Sequence, residues 1–271
     1  GSSDTGYSVR VTSSSQQALL PVLSASIDEI MEQHNAAAEV WNPHDWIAWA
    51  DGKNFAFLGG EDWDEGQAKG SETVHAALLA LLLTKDNLPS YHRLLAMHCP
   101  PASEWRPVVG GWTAEDNRHA IALRDYVVVS RTQDPEDLEM RRLHHVMQGY
   151  KQNPTALEYG VLDVFALLAL HELALVSFID QLLVDTDDDV LKGILKKIRH
   201  DDDVSSQTFA KFLAKAVADD RDAVAAAVDK AVAERQAIGA DVQDFDSQFA
   251  LLGAYSDAEA NAAKLRELAG L

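Results

Sequence analysis

Apolar residues recur at steps of three and four along most of this chain, the period of an amphipathic helix rather than the alternation of a strand. The stretch QQALLPVLSASIDEIMEQHNAAAEVW (16–41) predicts a first helix, with Pro21 tolerated in its opening turns. SETVHAALLALLLT (71–84) opens on Ser71, a good N-cap, and then turns apolar on every face. KDNLPSYHRLLAMH (85–98) carries Pro89, which should kink or restart the helix. Further helices are predicted over 101–131, 135–151, 155–184, 188–218, 219–239, 243–253 and 256–269. Gly and Pro cluster between 42 and 70, which marks a long loop. Two segments look strand-like, VRV (9–11) and YVVVS (126–130), and the second lies inside a helical pattern. There is no internal repeat and no low-complexity tract, and the Ala-rich stretch after 216 keeps helical amphipathicity. The expectation is an all-α helical bundle: a loose arm over 1–14, resembling a cloning scar, then one domain over 15–271.

Composition narrows the partners. Asp and Glu number 43 against 23 Lys and Arg, a net charge of −20, which repels nucleic acid and anionic membranes. One cysteine, Cys99, excludes an internal disulfide framework and fits a reducing cytoplasm. The longest apolar runs are too short or too polar for a membrane span, and the first residues lack the apolar block of a signal peptide. A cytoplasmic protein is expected.

The candidate chemistry begins at GWTAEDNRHAIALRDY (111–126), where Asp116 and His119 stand three apart and share a helix face. Helical bundles that bind two metals carry such a carboxylate-x-x-His step on two helices. No second step follows. Asp202 is followed three residues later by Ser205, where a metal helix would carry His. Between the two lies Glu172, a lone carboxylate in the apolar ALHELALVSFI, which needs a partner if it is buried.

At these residues the chain resembles the soluble acyl-acyl-carrier-protein desaturases. The resemblance rests on WNPHDW (41–46), NFAFLGGEDWD (54–64), TKDNLPSYH (84–92) and WTAEDNRHA (112–120), and more weakly on LHEL around Glu172 and KIRHDDDVSSQTF (197–209). It implies a ferritin-like bundle, a homodimer, two irons between four core helices, an acyl chain delivered on acyl carrier protein, and oxygen with reduced ferredoxin. Carried over position by position, the family's metal ligands fall on Lys85, Asp116, His119, Glu172, Asp202 and Ser205. Lys85 stands where the family has glutamate and Ser205 where it has histidine. Aspartate replaces glutamate at 116 and 202.

Charge counting on that ligand set gives −3 from Asp116, Glu172 and Asp202 and +1 from Lys85. A balance of −2 suits one divalent ion (Fe or Mn), or none if protons satisfy the carboxylates. Three functions remain open. One is a desaturase-type oxidoreductase with a rebuilt metal site. The second is an acyl-thioester enzyme using Lys85, Asp116, His119 and Glu172 for acid–base dehydration or isomerisation with one metal or none. The third is an inactive protein that binds acyl chains or carrier protein. Trp41, Tyr91 and Trp112 are expected to wall a pocket. His171 is poorly aimed at the cluster, and His200 reads as a surface or interface residue. His144 and His145, beside Arg141 and Arg142, read as a solvated or docking face. That basic group, with Lys196, Lys197 and Arg199, could steer an acidic carrier protein.

Overall fold

A computed structural model describes residues 16–149, 156 and 158–271. The arm over 1–14 and the VRV segment lie outside the described residues. The helices are α1 (Leu20–Ala25), α2 (Ile27–Ala37), α3 (Glu72–Lys85), α4 (Leu88–Ala96), α5 (Arg106–Ser130), α6 (Pro135–His144), α7 (Val161–Asp185), α8 (Asp189–Glu234), α9 (Phe245–Gln248) and α10 (Ala258–Leu268). No strand occurs among the described residues. The four core helices are α3, α5, α7 and α8, and the chain is all-α, as its periodicity predicts.

The sequence explains most of the boundaries. Ser71 Oγ accepts from the Val74 N–H at 3.1 Å and starts α3. Asp188 does the same for Val190 and Leu191 at the head of α8. Pro89 sits in the first turn of α4, where its missing N–H costs nothing. The long loop of 42–70 holds only short 3-10 turns. YVVVS is the last turn of α5, because its valines pack as part of the helix rather than as an isolated strand.

Several expectations need correction. The first helix is two, broken at Ser26, whose hydroxyl bonds back to the Val22 carbonyl at 2.9 Å. The expected break between 188–218 and 219–239 is a kink at Asp220 (φ −157°, ψ 84°) inside one long helix that stops at Glu234. Beyond it, Gly239 takes φ +91°, and any Cβ there would lie 2.8 Å from Ala80, so the chain crosses α3 closely in a non-helical turn. The 243–253 helix shrinks to α9 and two 3-10 turns. His145 is not part of a solvated face: it is buried, and its Nε2 lies 2.8 Å from Asn87 Oδ1.

Helix α7 starts at Val161, after the N-cap Gly160, rather than at 155, and its N-terminus is capped from far away. Gln16 Oε1 accepts from the Leu162 and Asp163 N–H groups at 3.0 and 3.2 Å, while its Nε2 donates to Asp163 Oδ1. A Cβ on residue 160 would fall 2.1 Å from that Oε1, so any larger residue there would push the Gln16 cap aside. Among the described residues α7 is the one helix long and apolar enough to cross a membrane, yet most of it is buried inside the bundle as a core helix. His34 ties the outer helix α2 to the core through Thr208 on α8 (2.6 Å) and Glu115 on α5 (2.9 Å).

The apolar interior is divided in two. One part centres on Trp105, Phe165, Phe209 and Phe212, the other on Leu78–Leu83, Phe178, Ile179 and Ile194. Between them, on all four core helices, lies a layer of buried charged residues. Because Gln16 satisfies otherwise orphaned donors of the most buried helix, Gln16→Ala should lower the unfolding free energy by about 1–3 kcal/mol in urea titrations. An unchanged midpoint would show that this cap contributes nothing.

Candidate functional site

Each core helix contributes to the charged layer. Lys85 is the last residue of α3, Asp116 and His119 lie one turn apart in α5, Glu172 is mid-way along α7, and Asp202 follows Asp201 in α8. All are buried. Lys85 Nζ donates to Asp116 Oδ1 at 3.0 Å and to both oxygens of Asp202 at 2.8 and 3.0 Å. The ammonium therefore holds α3, α5 and α8 together through one atom. Breaking such a buried pair by removing one partner costs about 3–5 kcal/mol.

His119 forms the second node. Its Nε2 is 2.8 Å from Asp201 Oδ2, and its Nδ1 faces Asp116 Oδ1 at 3.2 Å and Asp202 Oδ1 at 3.6 Å. Asp201 also accepts from Arg118 Nη2 and Trp41 Nε1, each at 2.9 Å. The Trp41 ring stacks on His119, and the Arg118 guanidinium lies over that ring. Glu172 Oε1 accepts from Trp112 Nε1 at 3.1 Å, whereas its Oε2 is buried without a hydrogen-bond partner.

Burial opposes every charge in this layer, and the neighbours decide which charges survive. Lys85 is desolvated, but Asp116 and Asp202 raise its pKa above the ordinary lysine range. Asp116 is desolvated too, yet the Lys85 ammonium and then His119 hold its carboxyl well below the usual range. For His119, burial and Lys85 push the pKa down, and the carboxylates of Asp202, Asp116 and Asp201 outweigh them, leaving it raised. Burial, and then the charge of Asp202, push Glu172 well above the usual carboxylate range; burial pushes Asp202 up as well, against the opposing charges of Lys85 and His119. Lys85 lies against Asp116 and Asp202, and Arg118 against Asp201, so the cations of the layer sit directly on its aspartates.

Sequence reasoning missed Asp201, although the run of three aspartates after His200 signalled it. The layer contains one triplet able to share an ion: ligand atoms of Asp116, His119 and Asp202 lie within 4.8 Å of one another. Lys85 Nζ is bonded to two of those three residues. Ser205 is buried one turn beyond Asp202 and is a hydroxyl, not an imidazole.

A cavity of about 270 Å³ lies beside the charged layer, lined by Thr84, Tyr91, Leu94, Leu170 and His171 among others. None of Lys85, Asp116, His119, Glu172 or Asp202 lines it. Of the three aromatics expected as pocket wall, Tyr91 is there. Trp41 and Trp112 are not, because each turns its indole N–H onto a buried carboxylate instead. His171 packs against Tyr91 with ring centroids 4.5 Å apart and planes tilted by 31°, and burial lowers its pKa to about 4, so it is neutral at pH 7. His200 is partly exposed and meets the Ala37 carbonyl. The basic groups are already paired: Arg141 with Asp137, Arg142 with Asp86 and Glu139, Lys197 with Glu39, and Arg199 with Asp180. Lys196 is exposed.

The family model "Fatty acid desaturase" matches residues 15–258. A protein of Mycobacterium tuberculosis named as the acyl-[acyl-carrier-protein] desaturase DesA2 is 34% identical over 227 residues, covering 84% of this chain and 80% of that protein. One named DesA1, from the same organism, is 48% identical over 132 residues, 49% of this chain. That match spans only 39% of the length of DesA1. The solved structure of DesA2 superposes with a TM-score of 0.75 at 27% identity, covering 94% of this chain and 95% of that one.

The protonated Glu172 gives a pH test with a definite sign. In the unfolded chain it ionises near its ordinary 4.5, so above that pH folding must take up a proton. The penalty grows by about 1.4 kcal/mol per pH unit until the raised folded pKa is reached, and vanishes below pH 4. Glu172→Gln is neutral throughout and keeps the acceptor for Trp112. It should gain about 1–3 kcal/mol of stability at pH 7, a gain that fades to nothing as the pH falls to 4. A loss of stability at pH 7 would mean that Glu172 is ionised in the folded protein.

Proposed function

The chain belongs to the acyl-acyl-carrier-protein desaturase family, and on that premise we propose that it binds a carrier-linked acyl chain without assembling the two-iron centre of desaturation. The single observation that carries the reading is the position of Lys85 Nζ, within 3.0 Å of both Asp116 and Asp202. An ammonium on those two carboxylates does electrostatically what a bound cation would do, and it repels a second cation brought to the same oxygens. Two divalent ions bring four positive charges. The residues present offer Asp116, Asp202 and one protonatable Glu172, less the charge of Lys85. They do not fit a pair of irons. A single ion, Fe or Mn, would have to take Asp116 and Asp202 from Lys85 and add His119, so at most one is expected.

Two further points support binding over acid–base turnover. The charged layer does not line the cavity, so Lys85, Asp116 and Glu172 are not placed to exchange protons with a molecule held there. Tyr91, Leu94, Leu167 and Leu170 give that cavity a partly apolar wall suited to an acyl chain. The family is a soluble one, which agrees with a cytoplasmic protein presenting its buried α7 to no membrane. Acyl carrier protein is the proposed partner and a homodimer the proposed assembly. Reduced ferredoxin has no part in a protein that receives no electrons.

Restoring the missing ligands tests the reading. Lys85→Glu alone leaves surplus negative charge without the second imidazole, and Ser205→His alone leaves the ammonium against the incoming cation. Together they recreate four carboxylates and two imidazoles. In a double-mutant cycle the parent and both single variants should hold at most one iron per chain after anaerobic reconstitution, and the double variant should approach two. Ferrous ion should also raise the melting temperature of the double variant more than that of the parent, since a ligand bound only to the folded state stabilises it. If the double variant binds no more iron than the parent, these positions are not a vestigial metal shell.

A further inference from the structure

One lysine and one arginine are buried among the described residues, Lys85 and Arg131, and their surroundings differ. Lys85 sits on two aspartates. Arg131, 3% exposed at the C-cap of α5, has no carboxylate within 4.0 Å among the described residues. Its Nη1 donates to the Glu61 carbonyl at 2.6 Å and more weakly to Gln67 Oε1 at 3.4 Å. Its Nη2 donates to the Lys53 and Asn54 carbonyls, each at 3.1 Å, and the guanidinium lies over the Phe55 ring. Every one of these partners is neutral. A buried charge is costly unless a countercharge answers it. The C-terminal dipole of α5 supplies at most about half a unit charge. The chain has 43 acidic residues to draw on, and none is placed on Arg131.

Arg131 lines a second cavity, of about 620 Å³, that shares no residue with the first. It lies between the loop of 47–69, the end of α5 and the head of α8. Lys53 and Lys69 stand in its wall, both exposed and neither within 4.0 Å of a carboxylate among the described residues. Two acids line it as well. Asp188 is already engaged: its Oδ1 accepts from the Val190 and Leu191 N–H groups and its Oδ2 from the Tyr126 hydroxyl at 2.6 Å. Asp51 is exposed. Lys53, Lys69 and Arg131 against Asp51 and Asp188 leave a local balance of +1, on a molecule of net charge −20. Ile47, Val129 and Val190 give the same wall an apolar part. The volume falls within the range of about 300–1,000 Å³ usual for small-molecule sites.

A small organic anion supplies what this cavity lacks. Lysine ammoniums bind phosphate as point charges, and an apolar wall accepts the group that carries it. A dianion gains more from three neighbouring cations than a carboxylate does. We propose that this second cavity binds a phosphate monoester of a small apolar group, its phosphate held by Lys53 and Lys69 and its charge answering Arg131. The site is separate from the acyl cavity, and the proposal does not rest on the acyl-binding reading.

The test titrates the full chain by calorimetry with phenyl phosphate, inorganic phosphate, benzoate and benzyl alcohol, at low and at high salt. Phenyl phosphate should bind most tightly, lose affinity as salt rises and raise the melting temperature. Inorganic phosphate should compete with it more weakly, and benzyl alcohol should not bind. Lys53→Gln and Lys69→Gln change exposed side chains, so each should keep the melting temperature of the parent. Each should weaken phenyl phosphate binding about two- to fivefold, and the pair about tenfold. Asp51→Asn should tighten it, and Lys264→Gln, an exposed lysine on α10, should leave it unchanged. Benzoate binding as tightly as phenyl phosphate would overturn the choice of a phosphate ester. No saturable binding of phenyl phosphate at millimolar concentration would overturn the site itself. So would an affinity that survives the double lysine variant, or one that falls equally in Lys264→Gln.

Discussion

The Lys85 ammonium, bonded to Asp116 and Asp202 in the middle of the bundle, is the interaction on which the rest depends. Three of the four core helices meet at this nitrogen, and the fourth brings Glu172 alongside. Desolvating one lysine and two aspartates is expensive, and only the short contacts among them offset that cost. The layer also separates two apolar cores that would otherwise merge. Within it Glu172 is pushed toward its protonated form by burial, and Asp201 is answered by Arg118.

A covalently attached cation differs from a bound metal in ways that matter for function. It cannot be lost to a chelator, it needs no supply of iron, and it offers no open coordination position. Its three N–H donors are already spent on carboxylate oxygens. On the proposed reading, the family's bundle and its acyl cavity persist while the centre that activated oxygen has become a structural ion cluster. The chemistry then available to a bound molecule is that of the cavity wall rather than that of the charged layer.

Much of this was legible in the sequence, for identifiable reasons. Helical periodicity marked every core helix, and the three-residue step from Asp116 to His119 placed both on one face. Glu172 stood out because an acid in an apolar helix must find a partner. Pairing across the bundle was less visible. Asp201 looked like one more acid in a run of three, and only the packing of α5 against α8 shows that it orients His119. Trp41 and Trp112 read as pocket wall from their size, yet their indole donors were needed by buried carboxylates. His145 sat in a charged run and still turned inward, toward Asn87. Gln16 lies 146 residues from the N–H of Leu162 that it caps, a distance no local pattern can span.

The central claim is that Lys85 occupies the place of a metal, and manganese diffraction tests it most directly. Crystals of the unmodified protein grown with excess manganese(II) would be measured for anomalous difference density around Asp116, His119 and Asp202. The account predicts Lys85 Nζ still bonded to both aspartates and at most one weak peak. Two strong peaks about 3.5–4 Å apart, the spacing of a two-metal site, with Lys85 displaced from the carboxylates, would contradict it.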